Sequence, residues 1–301
     1  MTNLLDLIST PFEVVQRPHH EGNNVMSWIG FKHVMYLAEE AVLERLRSAR
    51  LGFRACLETF GMVPEFVAEQ GRILTAVKLD DEVRAVVTLA DQTPPLLRFN
   101  VVLWVERGGK AVKAYTGKLG FAFRRDRSLG LPPSQATPAG MDNHVVDTLE
   151  GLMSAPEPTA GTPCLTWRTP VPYFYCHGND RLKLSGYLRL LEEADSRFCA
   201  QQGIGVGTLL RESRWIPAVP SARMEILADA HLDEELVITY RVTSVTRALL
   251  YTCAMDVSVE RAGRKVRVAT GEIVHGYAEI TSRSDWEMVS FDERVLNALA
   301  R

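Results

Sequence analysis

A chain of 301 residues is long enough for two domains or one large one, and its 46% hydrophobic and 24% charged residues make it globular rather than disordered or fibrous. Against 34 basic residues stand 37 acidic ones, and the net charge of -3 excludes a global positive field for nucleic acid or anionic lipid. No apolar run reaches bilayer length and the opening MTNLLDLISTPFE carries no basic segment, so a cytoplasmic protein without nucleic-acid or membrane partners is expected. The cysteines Cys56, Cys164, Cys176, Cys199 and Cys253 are odd in number and form no CxxC pair, which fits neither a disulfide framework nor a zinc ribbon.

In chain order, 13–17 reads as a short strand, followed by the loop RPHHEGNNVMSWIG and a helix over 30–47. An antiparallel meander follows, punctuated by the turns LDDE and RGGK. Between 126 and 163 lie six of the 15 prolines (132, 133, 138, 156, 158 and 163), so this stretch reads as a surface linker, interrupted by a short helix over 142–153. A second strand over 164–175 leads through a loop to a helix over 185–202, where Leu184, Tyr187, Leu188, Leu191, Ala194 and Phe198 keep the spacing of a buried stripe. A second meander follows, with turns at LDEE and RAGR and an alternating hairpin at Val257, Val259, Val266 and Val268. The spacing predicts a last helix over 290–301, capped by Ser290 with Glu293 three residues on.

The two halves repeat each other. Leu37, Glu39, Glu40 and Ala41 recur 153 positions later as Leu190, Glu192, Glu193 and Ala194, and the same shift carries Pro64 to Pro217, Ile73 to Ile226 and Asp80 to Asp233. After a one-residue offset, Val105, Glu106, Arg107, Gly109, Thr116 and Gly117 map onto Val259, Glu260, Arg261, Gly263, Thr270 and Gly271 at shift 154. Copies of this length are domains rather than solenoid units. The expected division is 1–125, linker 126–163, 164–281 and a C-terminal tail 282–301. Each copy is an α+β unit of one long helix and an antiparallel sheet that must wrap it.

The order strand, loop, long helix, curled antiparallel sheet resembles the hotdog fold. HGNDRLKLSGYLRLLEEADSRF, with Tyr187, Glu192 and Ala194, is similar to the loop and central helix of acyl-ACP and acyl-CoA thioesterases. The first copy is similar more distantly, with Val34 at the tyrosine position. The resemblance implies a tandem (double) hotdog, each unit a long central helix wrapped by a curved antiparallel sheet, in which one chain makes the dimer that single hotdogs form from two. It further implies hydrolysis of an acyl-CoA or acyl-ACP thioester in fatty-acid or polyketide biosynthesis. CoA or phosphopantetheine would be part of the substrate, with no separate cofactor, and the resemblance leaves open a homodimer of double hotdogs. Hotdogs also serve as dehydratases and acyltransferases, and a non-catalytic acyl-binding scaffold is a third reading.

Thioester hydrolysis needs a polarised carbonyl and a nucleophile or base. Where the family commonly has a loop aspartate, ten residues before Tyr187, stands His177, with Asn24 at the repeat position. His177 is the candidate base, Asn179 and Asp180 candidates to orient substrate or water, and Glu192 and Glu39 the candidate helix carboxylates. The loop of the first copy is dense in chemistry-bearing types. His20 could meet Glu192 across the interface, as in hotdog dehydratases, Asn24 is a further catalytic candidate, and Trp28, Gly30 and Tyr187 are candidates to contact substrate. Because a helix buries one stripe, Glu39 and Glu192 are expected to be less exposed than Glu40 and Glu193. Arg223, Arg241, Arg247, Arg261, Arg264, Lys265 and Arg267 could meet carrier phosphates or form a solvated hairpin tip. No ligand spacing suggests a metal site, and GVG at 205–207 is a weak nucleotide match.

Overall fold

The computed structural model describes residues 4–128, 130–154, 157 and 164–300. A short helix α1 (Leu4–Ser9) precedes strand β1 (Phe12–Gln16), the long helix α2 (Phe31–Ser48), helix α3 (Phe53–Phe60) and four strands: β2 (Met62–Ile73), β3 (Val83–Asp91), β4 (Leu97–Arg107) and β5 (Lys110–Arg125). After the short β6 (Val145–Val146) the order recurs: β7 (Leu165–Pro170), α4 (Leu184–Gln201), α5 (Val206–Ser213), β8 (Trp215–Ile226), β9 (Glu235–Thr246), β10 (Leu250–Arg261) and β11 (Arg264–Ile280). Strand β12 (Trp286–Val289) and helix α6 (Glu293–Leu299) close the chain.

Twelve strands form one sheet in the order β1-β3-β4-β5-β2-β8-β11-β10-β9-β7, with β6 on β5 and β12 on β11. The seam is the antiparallel pair β2–β8, running from Ala68 opposite Glu225 to Arg72 opposite Ser221. Gln70 faces Arg223, its own repeat partner, so a pseudo-twofold axis passes through the middle of the seam. Each half-sheet has two edge strands; the seam pairs one of them, β2 or β8, with its counterpart, and β1 and β7 remain the outer edges.

On α2 the residues Phe31, Val34, Met35, Ala38, Ala41, Val42 and Leu46 are buried, and on α4 Leu184, Tyr187, Leu188, Leu191, Ala194 and Phe198. The three-and-four spacing thus lays each helix on the concave face of its half-sheet. Matching turns take matching backbone: Asp80 and Asp233 both have left-handed φ, 72° and 69°. The C-cap of α3 is Gly61 at φ 61°, while its repeat partner at the end of α5, Arg214, holds φ 56° without being glycine.

Three expectations are corrected. Segment 142–153 is not a helix: Asp142–His144 is a single 3₁₀ turn, and Val145–Val146 runs parallel to the end of β5. The strand expected over 164–175 ends at Pro170, and Tyr173–Tyr175 is a 3₁₀ turn. The last helix starts at Glu293, because Ser290 follows β12 and it is Asp292 whose carboxylate accepts the Val295 N–H at 2.8 Å. The helices α3 and α5 were not anticipated. Pro156, Pro158, Pro163 and Arg301 lie outside the described residues.

The two cores differ. Asp195 is buried in α4 and accepts hydrogen bonds from Tyr240 (2.8 Å) and Tyr251 (3.0 Å), with His275 3.4 Å away. At the repeat positions the first half has Val42, Val87, Leu97 and Phe121.

Candidate active site

A cleft of about 760 Å³ opens between the helix of the first half and the loop of the second. From the first half, α2 contributes Tyr36, Glu39 and Leu43, and β2 contributes Pro64, Glu65 and Phe66. The second half contributes His177 and Gly178 from its loop, and Lys183, Leu184, Ser185 and Arg189 from the start of α4.

The loop reaches this place through specific contacts. Gly178 adopts φ 74°, and a Cβ there would come within 2.2 Å of the Phe53 ring of α3, so glycine permits both the turn and the close approach. Asn179 caps its own turn, accepting the Arg181 N–H at 3.0 Å, and its amide lies 3.4 Å from Glu65. Glu65, buried in β2, accepts from Lys183 at 2.5 Å and from Arg181 at 3.4 Å. Behind them Arg124 pairs with Asp229. These buried charges satisfy one another and lock the second loop onto the first half's sheet.

On the cleft wall, His177 Nε2 lies 3.0 Å from the Ser185 hydroxyl. Burial of the ring, then the charges of Lys183 and Arg189, hold His177 below the usual imidazole value, leaving it neutral at pH 7. Ser185 sits in the first turn of α4, whose N-terminus has no side-chain cap, and the first helical bond is donated by Tyr187 to Lys183. The N–H groups of Ser185 and Gly186 therefore have no intrahelical acceptor. Tyr36 donates to the Ser185 carbonyl at 2.7 Å, tying α2 to this spot.

One turn on from Tyr36, and so on the same face of α2, stands Glu39. It is half-buried, its Oε1 is buried without a partner, and desolvation, then Glu40, push its carboxyl up to about 8. Arg189 closes the side of the cleft, 3.0 Å from Glu21 and 5.8 Å above the ring centres of both Tyr36 and Tyr175.

The pseudo-equivalent place is built differently. There Glu192 is bound by Lys32 at 2.5 Å. A Cβ on Gly30 would lie 3.9 Å from both Asn24 Nδ2 and Glu192 Oε1, so Asn24, Gly30 and Glu192 do gather there. Trp28 is buried against Ile216 and Ala278 with Ala76 and Ala218 alongside. Those four residues are the repeat partners of Arg181, Arg124, Asp229 and Glu65 in turn for Trp28, Ala278, Ala76 and Ala218. An ionic anchor fastens one loop and an apolar anchor the other.

Of the residues singled out in the sequence, the cleft brings together His177 and Glu39, with Asn179 one bond behind. His20 lies exposed on a 3₁₀ turn, and the carboxylate it was expected to meet, Glu192, is held by Lys32. Tyr187 is wholly buried and lines no part of the cleft. Asp180 faces His231 at 3.4 Å. The expected contrast in exposure holds for half-buried Glu39 against exposed Glu40, but the side chains of Glu192 and Glu193 are alike, 42% and 38% exposed. In α4 the acid turned into the core is Asp195. Arg261 is engaged by Glu234, while Arg241 and Arg267 face Asp256. Ser185, Tyr36, Lys183 and Glu65 were not singled out. Among the described residues no three His, Cys, Asp or Glu side chains converge as metal ligands, and no helix is long and apolar enough to cross a membrane.

No family model and no curated protein matches the chain in sequence. Solved structures do match. A protein from Lactobacillus plantarum assigned as an oleoyl thioesterase aligns over 89% of this chain and 95% of its own, with TM-score 0.64 and 10% identity. The 12:0-ACP thioesterase from Umbellularia californica aligns over 88% and 93%, at 0.62 and 12%. An acyl-ACP thioesterase from Bacteroides thetaiotaomicron aligns over 88% and 97%, at 0.59 and 9%. The fold is a double hotdog. In this double hotdog both halves are needed for the cleft, since its helix wall and its loop wall come from different copies.

Proposed function

We propose that the chain hydrolyses an acyl thioester carried by CoA or an acyl carrier protein, in the cleft between α2 and the second loop. The observation that carries this reading is a carboxyl whose buried Oε1 has no partner, Glu39, sharing a cleft with a hydrogen-bonded His177–Ser185 pair, while the equivalent Glu192 is tied up in an ion pair. The three solved structures named above, each of a protein named as a thioesterase, support it.

The thioester carbonyl lies at the N-terminus of α4, where the Ser185 and Gly186 N–H groups and the helix dipole favour negative charge on its oxygen. His177 Nε2 takes a proton from a water held beside the Ser185 hydroxyl, and the water oxygen bonds to the carbonyl carbon. Glu39 donates a hydrogen bond to the developing oxyanion. The tetrahedral intermediate then collapses, the C–S bond breaks, and the imidazolium returns its proton to the departing thiolate, leaving a free acid and a free thiol. The free cysteines, all five unpaired, support a reducing compartment such as the cytoplasm.

The test is release of thiol from a panel of acyl-CoA and acyl-ACP substrates. Turnover by the wild type that falls by about 10²- to 10⁴-fold in His177→Gln is expected. Absence of turnover on every substrate overturns hydrolysis. The placement of a histidine and an acid from opposite copies in one cleft also favours a dehydratase as second reading, which would show as loss of water from a 3-hydroxyacyl thioester with no free thiol.

A further inference from the structure

Beside the cleft, and sharing Arg47 and Phe53 with it, runs a second groove of about 690 Å³ that the hydrolytic chemistry leaves unused. Its walls are the end of α2 and the start of α3, and they carry three arginines, Arg47, Arg50 and Arg54, against one carboxylate, Glu58. Groove and cleft meet at the loop that bears His177, for Gly178 packs directly on the Phe53 ring. Arg47 stands eight residues beyond Glu39 on α2, about 12 Å along the helix axis.

The arginines are held loosely. Arg47 and Arg54 pair with carboxylates one turn away on their own helices, Glu44 and Glu58, and their side chains are 53% and 87% exposed. Surface pairs of this kind hold little energy and yield to a stronger anion. Arg50 is exposed, and its guanidinium has no hydrogen-bond or ion-pair partner among the described residues. Its backbone sits at φ 63°, in the left-handed region that disfavours a side chain.

The repeat shows what the fold itself requires here. At shift 153 Arg50 corresponds to Gly203, which has φ 76°, so the turn after the long helix suits glycine and the first half has an arginine in it. Arg47 corresponds to Ala200 and Arg54 to Gly207. The register holds in space, since Gly52 lies against Arg47 as Gly205 lies against Ala200. At the positions of Glu44 and Glu58 the second half has Arg197 and Arg211, but Arg197 is taken up by Glu193 and by the face of Trp167. Of the two places, the one with three arginines adjoins the cleft that holds His177 and Glu39.

We propose that this groove takes the phosphate groups of a coenzyme A tail, so that the thioester in the cleft is delivered on CoA. The inference rests on the hydrolytic reading for the position of the thioester, and deepens it by naming the carrier. A carbonyl at Ser185 sends the pantetheine arm past Gly178 and Phe53, and the distance from Glu39 to Arg47 along α2 is within reach of that arm when extended. In the groove the diphosphate and the ribose phosphate meet guanidinium groups, which can bind phosphate oxygens two at a time. The acidic face of a carrier protein fits less well, because Glu40, Glu44 and Glu58 stand among the arginines around the two cavities. A protein surface laid across them meets those carboxylates as well, whereas a phosphate inside the groove meets the arginines first.

Binding can be read without turnover. Calorimetric titration of the whole chain with free CoA should give saturable binding that weakens about tenfold in Arg50→Gly, and about a hundredfold when Arg47→Gln and Arg54→Gln are added. Arg50→Gly introduces the residue that the repeat holds at that turn, so the fold is kept. Arg211→Gln, in the counterpart place, should leave CoA affinity within about twofold. In kinetics, KM for an acyl-CoA should rise in parallel with the loss of binding, while KM for the matching acyl-pantetheine, which has no phosphate, should not. No saturable binding of CoA by the wild type, or equal affinity in the wild type and the triple variant, overturns the proposal. So does a triple variant that binds CoA as before but loses affinity for a holo acyl carrier protein, which would make the arginines a protein-docking face. If CoA binds through the arginines to a chain without thioesterase turnover, the hydrolytic reading falls and the groove stands. Turnover of acyl-CoA indifferent to all three substitutions overturns the groove and leaves hydrolysis.

Discussion

Glu39 and Glu192 occupy one repeat position, yet one keeps a lone carboxyl half inside the protein and the other neutralises Lys32 near the surface. What a glutamate can do follows from its neighbours, and here they set a pH window. Under the proposed mechanism His177 acts as a base only when unprotonated, and its value lies below the usual 6.5, so activity is expected to fall as pH drops through the region below 6.5. Glu39 donates only while protonated, so activity falls again as pH rises through about 8. A bell-shaped kcat/KM profile is expected, and Glu39→Gln should remove its alkaline limb while lowering kcat. The same carboxyl makes a stability prediction. Its folded value lies above the unfolded one, so its contribution is complete below about 4.5 and is lost as pH rises through about 8. Denaturant titrations should show the wild type losing stability relative to Glu39→Gln across that interval; parallel curves would show that Glu39 is already ionised at neutral pH. The sequence marked Glu39 and His177 because their positions are recognisable. It could not mark the buried, hydrogen-bonded pair of Glu69 and Tyr115, since a buried glutamate in a strand reads as surface alternation until the opposing strand is known.

Elements were legible where periodicity is long and one-sided. Both long helices fall within a residue of their expected bounds, and the hairpin turns sit where LDDE, LDEE, RGGK and RAGR placed them. Segment 142–153 misled because its apolar residues serve without helical spacing: His144 is buried, Val145 and Val146 extend the sheet beside Phe123 and Arg124, and Leu149 joins the core from a turn. The loops were legible as loops, but not their anchors. Those anchors predict different penalties. Glu65→Ala strips the counter-charge from Lys183 and Arg181 and should destabilise the fold by about 3–5 kcal/mol, releasing the His177 loop so that kcat falls as well. Trp28→Ala should cost a similar amount, about 3–5 kcal/mol, by opening a cavity, but with kcat kept at temperatures where the variant is folded. Chemical denaturation alongside kinetics separates the two; equal effects on kcat would mean that the two loops serve the cleft alike.

At the scale of the whole molecule, the repeat was readable from residue identities alone, and so was the prospect of two composite sites. How the two places differ was not, because the difference lies in pairs of residues distant in sequence: Lys32 with Glu192 across 160 positions, Glu65 with Lys183 across 118. Glu192→Gln should leave kcat within about twofold of wild type, as expected of a surface ion pair worth at most about 1 kcal/mol. A loss as large as that of Glu39→Gln would relocate the reaction to the other side.

The pseudo-twofold seam through Gln70 and Arg223 has a consequence for how such a protein can change. When two identical chains meet about a true axis, any substitution appears twice, and a feature useful in one cleft is imposed on the other whether or not it harms packing there. Here the halves share a peptide chain but not a set of codons. Each core buries its own acid at a different place, Glu69 with Tyr115 on one side and Asp195 with Tyr240 and Tyr251 on the other, while the repeat positions across the axis hold Ala222 and Ala269 or Val42, Val87 and Leu97, so each strain falls on one core and not on two. Tethering halves the structural exposure of each chemical experiment that mutation performs.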